Sequence, residues 1–259
     1  MPSLREKIAF YLDDVETSVG LGINSTILGL ILLSSVIFIA GTYSLPAVVQ
    51  NSFNILDTLI LIIFTIEYCL RFWSAKNKSQ FFFNLFSLID LIAILPLLLG
   101  WLDIRFLRIF RWFRILRIIR LWRLKIKLFG LQTEDSIVYT RIFLTLFSLI
   151  FVYAGLIYQV EHQVNSEKLK NFFDAFYFVV VTMTTVGYGD VTPLSETGRA
   201  MTLLMILTGI LFIPWQLGEL IKQAVKTANL VTKECPGCNL ARHDSDAKFC
   251  KQCGTKLEN

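Results

Sequence analysis

Long apolar runs, largely free of charged residues, alternate with short polar connections along most of this chain. Five of these runs approach the ~20 residues that an α-helix needs to cross a bilayer core of about 30 Å. Pro46 closes the first run, and Pro96 predicts a kink in the third because proline removes a helix hydrogen bond. The pattern therefore predicts membrane-spanning helices. The five runs cover residues 23–43, 55–73, 85–99, 139–160 and 199–224.

Between the last two runs, a short apolar segment, 172–184, leads into the sequence Thr-Met-Thr-Thr-Val-Gly-Tyr-Gly-Asp at 182–190. Gly187 and Gly189 can adopt positive φ without steric cost, and their alternation with larger residues lets successive carbonyls point the same way. Four copies around an axis would stack rings of oxygen atoms that can replace an ion's water shell. The alternative is an ordinary glycine turn. Non-helical backbone at membrane depth, however, survives only where protein buries it or it lines a watery cavity.

The run Thr-Val-Gly-Tyr-Gly resembles the signature of potassium channels. The resemblance implies a homotetramer in a lipid bilayer, with this run as the selectivity filter and K⁺ as the permeant ion. Segment 172–184 is then a pore helix, whose partially negative C-terminal end favours a cation in the cavity. The filter residues implied are Thr185, Val186, Gly187, Tyr188, Gly189 and Asp190.

Arginine recurs at every third position through segment 105–123, with apolar or aromatic residues between. In an α-helix this spacing winds as a slow spiral, whereas in a 3₁₀ helix the charges align on one face. The stretch is about 27 Å long, close to the bilayer core, and predicts a fourth span. The alternative is an interfacial basic helix or a nucleic-acid-binding helix, but such a helix keeps a separate apolar face. The arginines are Arg105, Arg108, Arg111, Arg114, Arg117, Arg120 and Arg123.

Arginines in a membrane need acidic partners, and the acids inside the second and third runs are Asp57, Glu67 and Asp90. Asp57, Phe64 and Glu67 are spaced by seven and three residues, so they share roughly one helix face. This combination resembles the voltage-sensor domain. The resemblance implies that Phe64 is the aromatic plug of the charge-transfer site, with Glu67 and Asp90 as inner countercharges and Asp57 as the outer one. Each acid alone could instead be a static salt-bridge partner.

Two segments are candidates for coupling and gating. Segment 125–138 alternates lysine with leucine and isoleucine near its start, which suits a helix at the inner membrane surface and resembles the S4–S5 linker. Gly209 lies 21 residues after Tyr188, which matches the glycine hinge of the family. A small residue for close helix packing is the alternative interpretation. Pro214 predicts a bend near the inner mouth.

Composition and charge place these elements in a membrane. The 259 residues are 54% hydrophobic and only 17% charged, more apolar than a soluble domain of this length requires. Lysine and arginine cluster at 5–7, 71–78, 123–127 and 222–233. The positive-inside rule then predicts a multi-pass protein of the plasma (inner) membrane with both termini in the cytoplasm. Residues 1–22 favour an amphipathic helix on the inner membrane surface over a plain soluble helix.

Two Cys-x-x-Cys turns close the chain, formed by Cys235 with Cys238 and by Cys250 with Cys253. Their thiolates can converge tetrahedrally on one Zn²⁺, and the surrounding sequence resembles a zinc ribbon. Two redox dithiols are the alternative, although this side of the membrane is reducing. His243 could replace a cysteine but is expected at the surface. Basic and acidic residues offset each other here, so no nucleic acid is expected, and the partner of the ribbon stays open.

The fold class predicted is an all-α membrane protein, with a four-helix voltage-sensor bundle, a two-helix pore with re-entrant pore helix and filter, and a small zinc ribbon. The function predicted is that of a voltage-gated, potassium-selective channel. The alternatives are a less selective cation channel opened by hyperpolarisation and a zinc- or redox-responsive receptor. His162 and His243 lack a nucleophile or carboxylate constellation, so an enzyme is not expected. The amphipathic segment, sensor, linker, pore and ribbon are predicted at 1–22, 23–124, 125–138, 139–228 and 229–259.

Overall fold

The computed structural model describes residues 4–14, 17–98, 112–113, 115–116 and 134–257. Within these ranges the chain forms eight helices followed by a two-stranded hairpin. The elements are α1 (Leu4–Asp13), α2 (Ser18–Ala40), α3 (Ala47–Ser74), α4 (Lys78–Phe82), α5 (Leu85–Leu98), α6 (Glu134–Glu161), α7 (Phe172–Met183), α8 (Glu196–Ala228), β1 (Leu230–Thr232) and β2 (Arg242–Asp244).

Four of the described helices, α2, α3, α6 and α8, are long and apolar enough to cross a membrane. Shorter apolar helices are α5 and α7. The prediction of a helical membrane protein is therefore confirmed. All seven arginines of segment 105–123, and residues 125–133 of the predicted linker, lie outside the described residues.

Several helices extend beyond the apolar runs, and at α2 a side-chain cap marks the start. α2 begins at Ser18 rather than residue 23, since the Thr17 hydroxyl accepts a hydrogen bond from the Gly20 N–H at 3.2 Å. α3 begins directly after Pro46. α6 begins at Glu134. Residues 134–138, which the sequence assigned to the linker, are therefore helical and continue into the span predicted from residue 139.

The N-terminal half is a bundle in which α3 contacts α1, α2 and α5. Its core includes Ile31, Ile60, Phe64 and Ile94. α1 is tied to the end of α3 because the Arg5 guanidinium donates to carbonyl oxygens there. The last carbonyls of a helix lack partners within it and carry partial negative charge, so a cation at this position stabilises the helix end.

The C-terminal half consists of α6, α7 and α8, and α6 packs along both of the others. A capping box starts α7. The Asn171 side chain accepts from the N–H groups of Phe173 and Asp174, while the Asp174 carboxylate accepts from the Asn171 N–H. This reciprocal pair fixes where α7 begins, and the helix then leads directly into the loop at 184–190.

The two halves meet where the chain after α2 lies against α6 and α7. Thr42 forms two hydrogen bonds across this junction. Its hydroxyl accepts from the Phe172 N–H at 3.1 Å, and its carbonyl accepts from the Tyr158 hydroxyl at 3.5 Å. The first N–H groups of a helix have no partner inside it, so the N-terminal half supplies part of the cap of α7.

The hairpin follows α8 after a single residue, Asn229, whose carbonyl accepts from the Ser245 N–H at 2.8 Å. β1 and β2 are antiparallel, with Val231 opposite His243. A small core of Cys235, Cys250 and Leu257 lies beneath them. The hairpin unit is therefore attached closely to the C-terminal end of α8.

Candidate functional site

Positive φ occurs at alternate residues in the loop after α7. Thr185, Gly187 and Gly189 have φ of 62°, 55° and 78°, so the conformation predicted for both glycines is present. The N–H groups of Val186 and Gly187 donate to the Val181 carbonyl at 3.1 and 3.2 Å. In a trans peptide the N–H and the preceding C=O point in opposite directions. The carbonyls of Thr185 and Val186 therefore both point away from α7.

One side of this loop is exposed, and the other side faces α7. Val186 and Tyr188 are 53% and 70% exposed. A Cβ added to Gly187 or Gly189 would meet no described atom within 4 Å. Towards α7, a cavity of about 250 Å³ lies behind the loop and is lined in part by Tyr177. Large exposed apolar side chains in a contiguous patch mark an interaction surface.

Three side chains hold the outer end of the loop. The Tyr177 hydroxyl donates to Asp190 Oδ2 at 2.9 Å. Lys168 Nζ donates to the Asp190 carbonyl. Asn165 Nδ2 donates to the Thr192 carbonyl at 3.0 Å. The connection between α6 and α7 thus supports the segment 190–192, although its sequence showed no pattern that linked the two.

Glu161, the last residue of α6, is fully buried against the start of α8. Its carboxylate accepts from the N–H groups of Leu194 and Ser195, both at 2.9 Å, and from the Ser195 hydroxyl. A Cβ on Gly198 would lie 1.8 Å from Glu161 Oε1, so this contact requires glycine. Sequence reasoning missed Glu161; its signal was an acid at the end of an apolar run.

The four residues predicted for the charge-transfer site all lie inside the N-terminal bundle. Phe64 is fully buried on α3. Asp57 and Glu67 are buried on the same helix, and Asp90 is buried on α5. A carboxylate buried in this way must be paired or hydrogen-bonded, so the bundle provides the acidic interior that the sequence pattern predicted.

Two of these acids have partners among the described residues that the sequence did not single out. The Ser34 hydroxyl of α2 donates to Asp57 Oδ1 at 2.9 Å. Glu67 forms a buried ion pair with Arg71, one turn further along α3. The Glu67–Arg71 ion pair is a static salt bridge, which the sequence left open as an alternative role for each acid.

Within the arginine segment, Trp112, Phe113, Ile115 and Leu116 are described, and all four have 3₁₀ conformation. Residues three apart in a 3₁₀ helix lie on one face. Trp112 and Ile115 share such a face, and each is only 1% exposed. The described part of the segment therefore presents an apolar side to the protein.

The glycine predicted as a hinge lies in a tight contact. Gly209 is buried in α8, and a Cβ there would lie 3.2 Å from Met183 Cε at the end of α7. This is the close packing that the sequence offered as an alternative. The preceding residue, Thr208, is hydrogen-bonded to the Tyr153 hydroxyl of α6 at 2.7 Å. α8 continues through Pro214 to Ala228.

The four cysteines predicted as metal ligands come together in the C-terminal hairpin unit. All their sulfur atoms lie within 4.8 Å of one another. Cys235 and Cys253 are 3.4 Å apart, and Cys238 and Cys250 are 3.6 Å apart. These separations are far from the ~2.05 Å of a disulfide. They approach the ~3.8 Å between sulfurs that tetrahedral Zn–S bonds of about 2.3 Å produce, so the cluster fits one tetrahedral ion.

The two cysteine turns have matching backbone geometry. Asn239 and Gly254 donate their N–H groups to the carbonyls of Cys235 and Cys250, both at 2.9 Å. Both donors have positive φ, 56° and 74°. In each turn, the N–H two residues after the first cysteine points at that sulfur at 3.4 Å. N–H groups directed at sulfur favour the thiolate, which is the metal-binding form.

His243 is buried, at 1% exposure, which corrects the expectation of a surface residue. It occupies the middle of β2, and alternate residues of a strand face opposite sides, so its side chain can turn inward. Its Nδ1–H donates to the Lys233 carbonyl at 2.8 Å. The imidazole, followed by the Cys253 N–H, lowers the pKa of the Cys250 thiol to about 5.

A protein-family model described as ion transport protein matches residues 22–221 of this chain. The match begins in α2 and ends in α8, so it includes the N-terminal bundle without α1, the arginine segment and the loop after α7. The four-cysteine hairpin unit lies beyond it.

Three curated proteins illustrate the similarity. The chain is 33% identical over 191 residues to the hyperpolarization-activated voltage-gated potassium channel of Methanocaldococcus jannaschii, covering 73% of this chain and 87% of that protein. It is 32% identical over 111 residues to the voltage-gated potassium channel of Aeropyrum pernix, covering 43% and 37%. It is 35% identical over 80 residues to a calcium-gated potassium channel of Thermoplasma volcanium, covering 31% and 23%.

Proposed function

The chain belongs to the ion transport protein family, whose members are channels rather than enzymes, and from this premise we propose that it is a voltage-gated, potassium-selective channel made of four copies. The observation that carries the proposal is the alternation of positive φ at Thr185, Gly187 and Gly189. Carbonyls directed away from α7 on four such loops would surround a dehydrated K⁺ with oxygen. The three relatives named above are all called potassium channels.

Fourfold assembly is supported by the apolar side chains that a single chain leaves exposed. The loop side chains Val186 and Tyr188 are exposed, and so is an apolar series along α8 that includes Leu203, Leu207 and Leu211. Lipid can cover part of α8, but polar backbone at membrane depth requires protein or a watery cavity around it. Three further copies around one axis supply both.

Voltage dependence rests on the arginine segment 105–123 and on the buried acids of the bundle. Moving one elementary charge across the membrane is worth about 2.3 kcal/mol per 100 mV. Three or four arginines in each of four subunits therefore supply tens of kcal/mol. This exceeds the few kcal/mol that typically separate two conformations. In this proposal Phe64 is the plug, and Asp57, Glu67 and Asp90 are successive countercharges.

The sign of the response is a separate question. The Methanocaldococcus protein, whose alignment covers most of both chains, is named as hyperpolarization-activated. This favours opening at negative interior potentials for the present channel as well. Both termini are then cytoplasmic in a plasma-membrane protein, because lysine and arginine cluster on that side.

For the hairpin unit we propose a structural Zn²⁺ site with Cys235, Cys238, Cys250 and Cys253 as ligands. The sulfur separations of 3.4 and 3.6 Å support it. When bound, the ion cross-links the two turns and supplies no further chemistry, because four protein ligands leave no position for water. The balanced charge of the unit gives no basis for a nucleic-acid partner.

Reconstitution into planar bilayers tests the channel function. With K⁺ on one side and Na⁺ on the other, we expect currents that reverse near the K⁺ equilibrium potential and change steeply along a voltage ramp. Equal permeability to Na⁺ and K⁺ would contradict the filter. Opening only at positive interior potentials would contradict the proposed polarity while leaving voltage sensing intact.

Neutralising single arginines tests the sensor. Arg111→Gln and Arg114→Gln should each shift the half-activation voltage or reduce the steepness of the conductance–voltage curve. If three or four charges move per subunit, the loss in steepness is roughly a quarter to a third. Lys251→Gln removes the same charge in the hairpin unit, outside the membrane field, and serves as the matched control. Unchanged curves in both arginine variants would reject the segment as the sensor.

A further inference from the structure

Trp112 lies inside the arginine segment, between Arg111 and Arg114, yet its side chain is buried where α2, α6 and α7 meet. Rings from three helices surround the indole. Together with a glycine of α6 they form what we call the aromatic cage: Phe38 of α2, Phe151, Gly155 and Tyr158 of α6, and Phe172 of α7.

The ring geometry is specific. The indole stacks on Phe172 with centroids 5.2 Å apart and an interplanar angle of 10°. Phe38 meets it edge-on at 4.3 Å and 85°. Aromatic pairs in these two arrangements attract each other beyond the effect of the area they bury. The cage therefore favours one position of the indole rather than offering a non-specific apolar surface.

Gly155 makes room for the indole. A Cβ at this position would lie 1.9 Å from Trp112 Cδ2 and 2.1 Å from Cε3. Backbone on α6 cannot retreat easily, so any larger residue must displace the indole. Gly155 and Trp112 are thus mutually dependent, although 43 residues separate them in sequence.

The caged position also has a cost. The indole Nε1–H is buried and has no hydrogen-bond partner among the described residues. An unsatisfied buried donor opposes burial. The ring contacts therefore hold Trp112 in the cage, while the unpaired N–H favours its release.

We propose that Trp112 and the aromatic cage form a latch. In this structure the latch holds Trp112 of the arginine segment against Phe172 of α7, and gating requires the indole to leave the cage. This inference rests on the proposed voltage gating, because the latch acts on the segment that the field moves. Phe172 is the first residue of α7, so the latch connects that segment directly to the helix that supports the filter loop.

A double-mutant cycle tests the latch. Trp112→Leu empties the cage, and Gly155→Ala displaces the indole from it. We expect each to shift the half-activation voltage with the same sign. The double variant should shift it no further than the larger single variant, because an empty cage tolerates the added methyl group. Gly29→Ala, on membrane helix α2, is the matched control, since its Cβ meets no described atom within 4 Å. Additive shifts, or a Gly155→Ala shift no larger than that of Gly29→Ala, would overturn the latch.

A second measurement separates this proposal from the function on which it rests. The same cycle is measured on the thermal midpoint of the purified channel in detergent, where non-additivity reports the Trp112–Gly155 contact without any voltage. Wild-type current that does not depend on voltage, together with non-additive shifts of the thermal midpoint, would refute the proposed gating but leave the Trp112–Gly155 contact intact. Normal voltage gating with additive effects in both cycles would defeat the latch alone. If Gly155→Ala abolishes assembly, restoration by Trp112→Leu supports the coupling, and failure to restore counts against it.

Discussion

Single carboxylates fix the geometry around the loop at 184–190, and Glu161 is the clearest case. Its fully buried carboxylate holds two N–H groups and one hydroxyl at the start of α8. The negative charge also faces the N-terminal end of α8, where the helix dipole favours it. The segment that leaves the loop at 184–190 is therefore anchored to the end of α6 within one chain.

Replacing Glu161 by glutamine should loosen this anchor. The amide keeps one acceptor oxygen but places an NH₂ group against N–H donors, and a buried unsatisfied group costs about 1–3 kcal/mol. We expect faster decay of current during sustained opening, measured as the time constant at fixed voltage. Gly198→Ala should act similarly, because its Cβ would displace the carboxylate. Glu167→Gln, at an exposed acid of the same connection, is the matched control; equal decay in Glu161→Gln and Glu167→Gln would refute the anchor.

The residues that sequence predicted correctly are those whose role is local. Positive φ at Gly187 and Gly189 follows from glycine itself and from the alternation around it. The convergence of Cys235 with Cys253 follows from two short turns of fixed spacing. Glu161 and Trp112 were missed because each acts on a partner over 30 residues away, and a single sequence does not show which distant residues meet.

At the scale of elements, hydrophobicity predicted which helices exist but not where they end. The bilayer requires about 20 apolar residues, whereas α3 and α6 each have 28. Apolar length alone therefore does not locate their ends. The start of α7 shows what can, because Asn171 and Asp174 form its capping box while Thr42 contributes from the segment after α2.

The contribution of Thr42 can be measured with two substitutions of similar size. Thr42→Val removes the hydroxyl that accepts from the Phe172 N–H, while Thr42→Ser keeps it. Loss of a cap typically costs ~0.5–2 kcal/mol, so we expect a lower thermal midpoint for Thr42→Val and a smaller change for Thr42→Ser. Equal midpoints for the two variants would show that the junction does not depend on this hydrogen bond.

At the scale of the whole molecule, the proposed assembly is the part that one chain does not show. Among the described residues, exposed apolar side chains on α8 and at Val186 and Tyr188 lie where the proposed copies meet. Sequence could predict this arrangement only through the resemblance to channels, since a pattern along one chain does not reveal a symmetry axis. The family match ends at residue 221, so the hairpin unit is an addition to the shared architecture.

The hairpin unit lies at the opposite end of α8 from the loop at 184–190, so its role can be tested separately from that of the loop. α8 has 33 residues, about 50 Å at 1.5 Å per residue, and the hairpin follows it after Asn229 alone. Chelating the metal, or Cys235→Ser, should therefore release about one Zn²⁺ per chain and unfold the hairpin, because zinc binding and folding are coupled in such units.

The reversal potential in mixed K⁺ and Na⁺ should stay unchanged by either treatment, since the oxygen rings proposed for selectivity belong to the opposite end of α8. Metal content by elemental analysis and reversal potential are measured on the same preparation. Cys69→Ser, at a lone cysteine of α3 that is not among the four clustered ones, is the matched control and should keep its zinc. Zinc retained in Cys235→Ser would contradict the site. Selectivity lost together with the metal would mean instead that the hairpin acts on the filter through the whole length of α8.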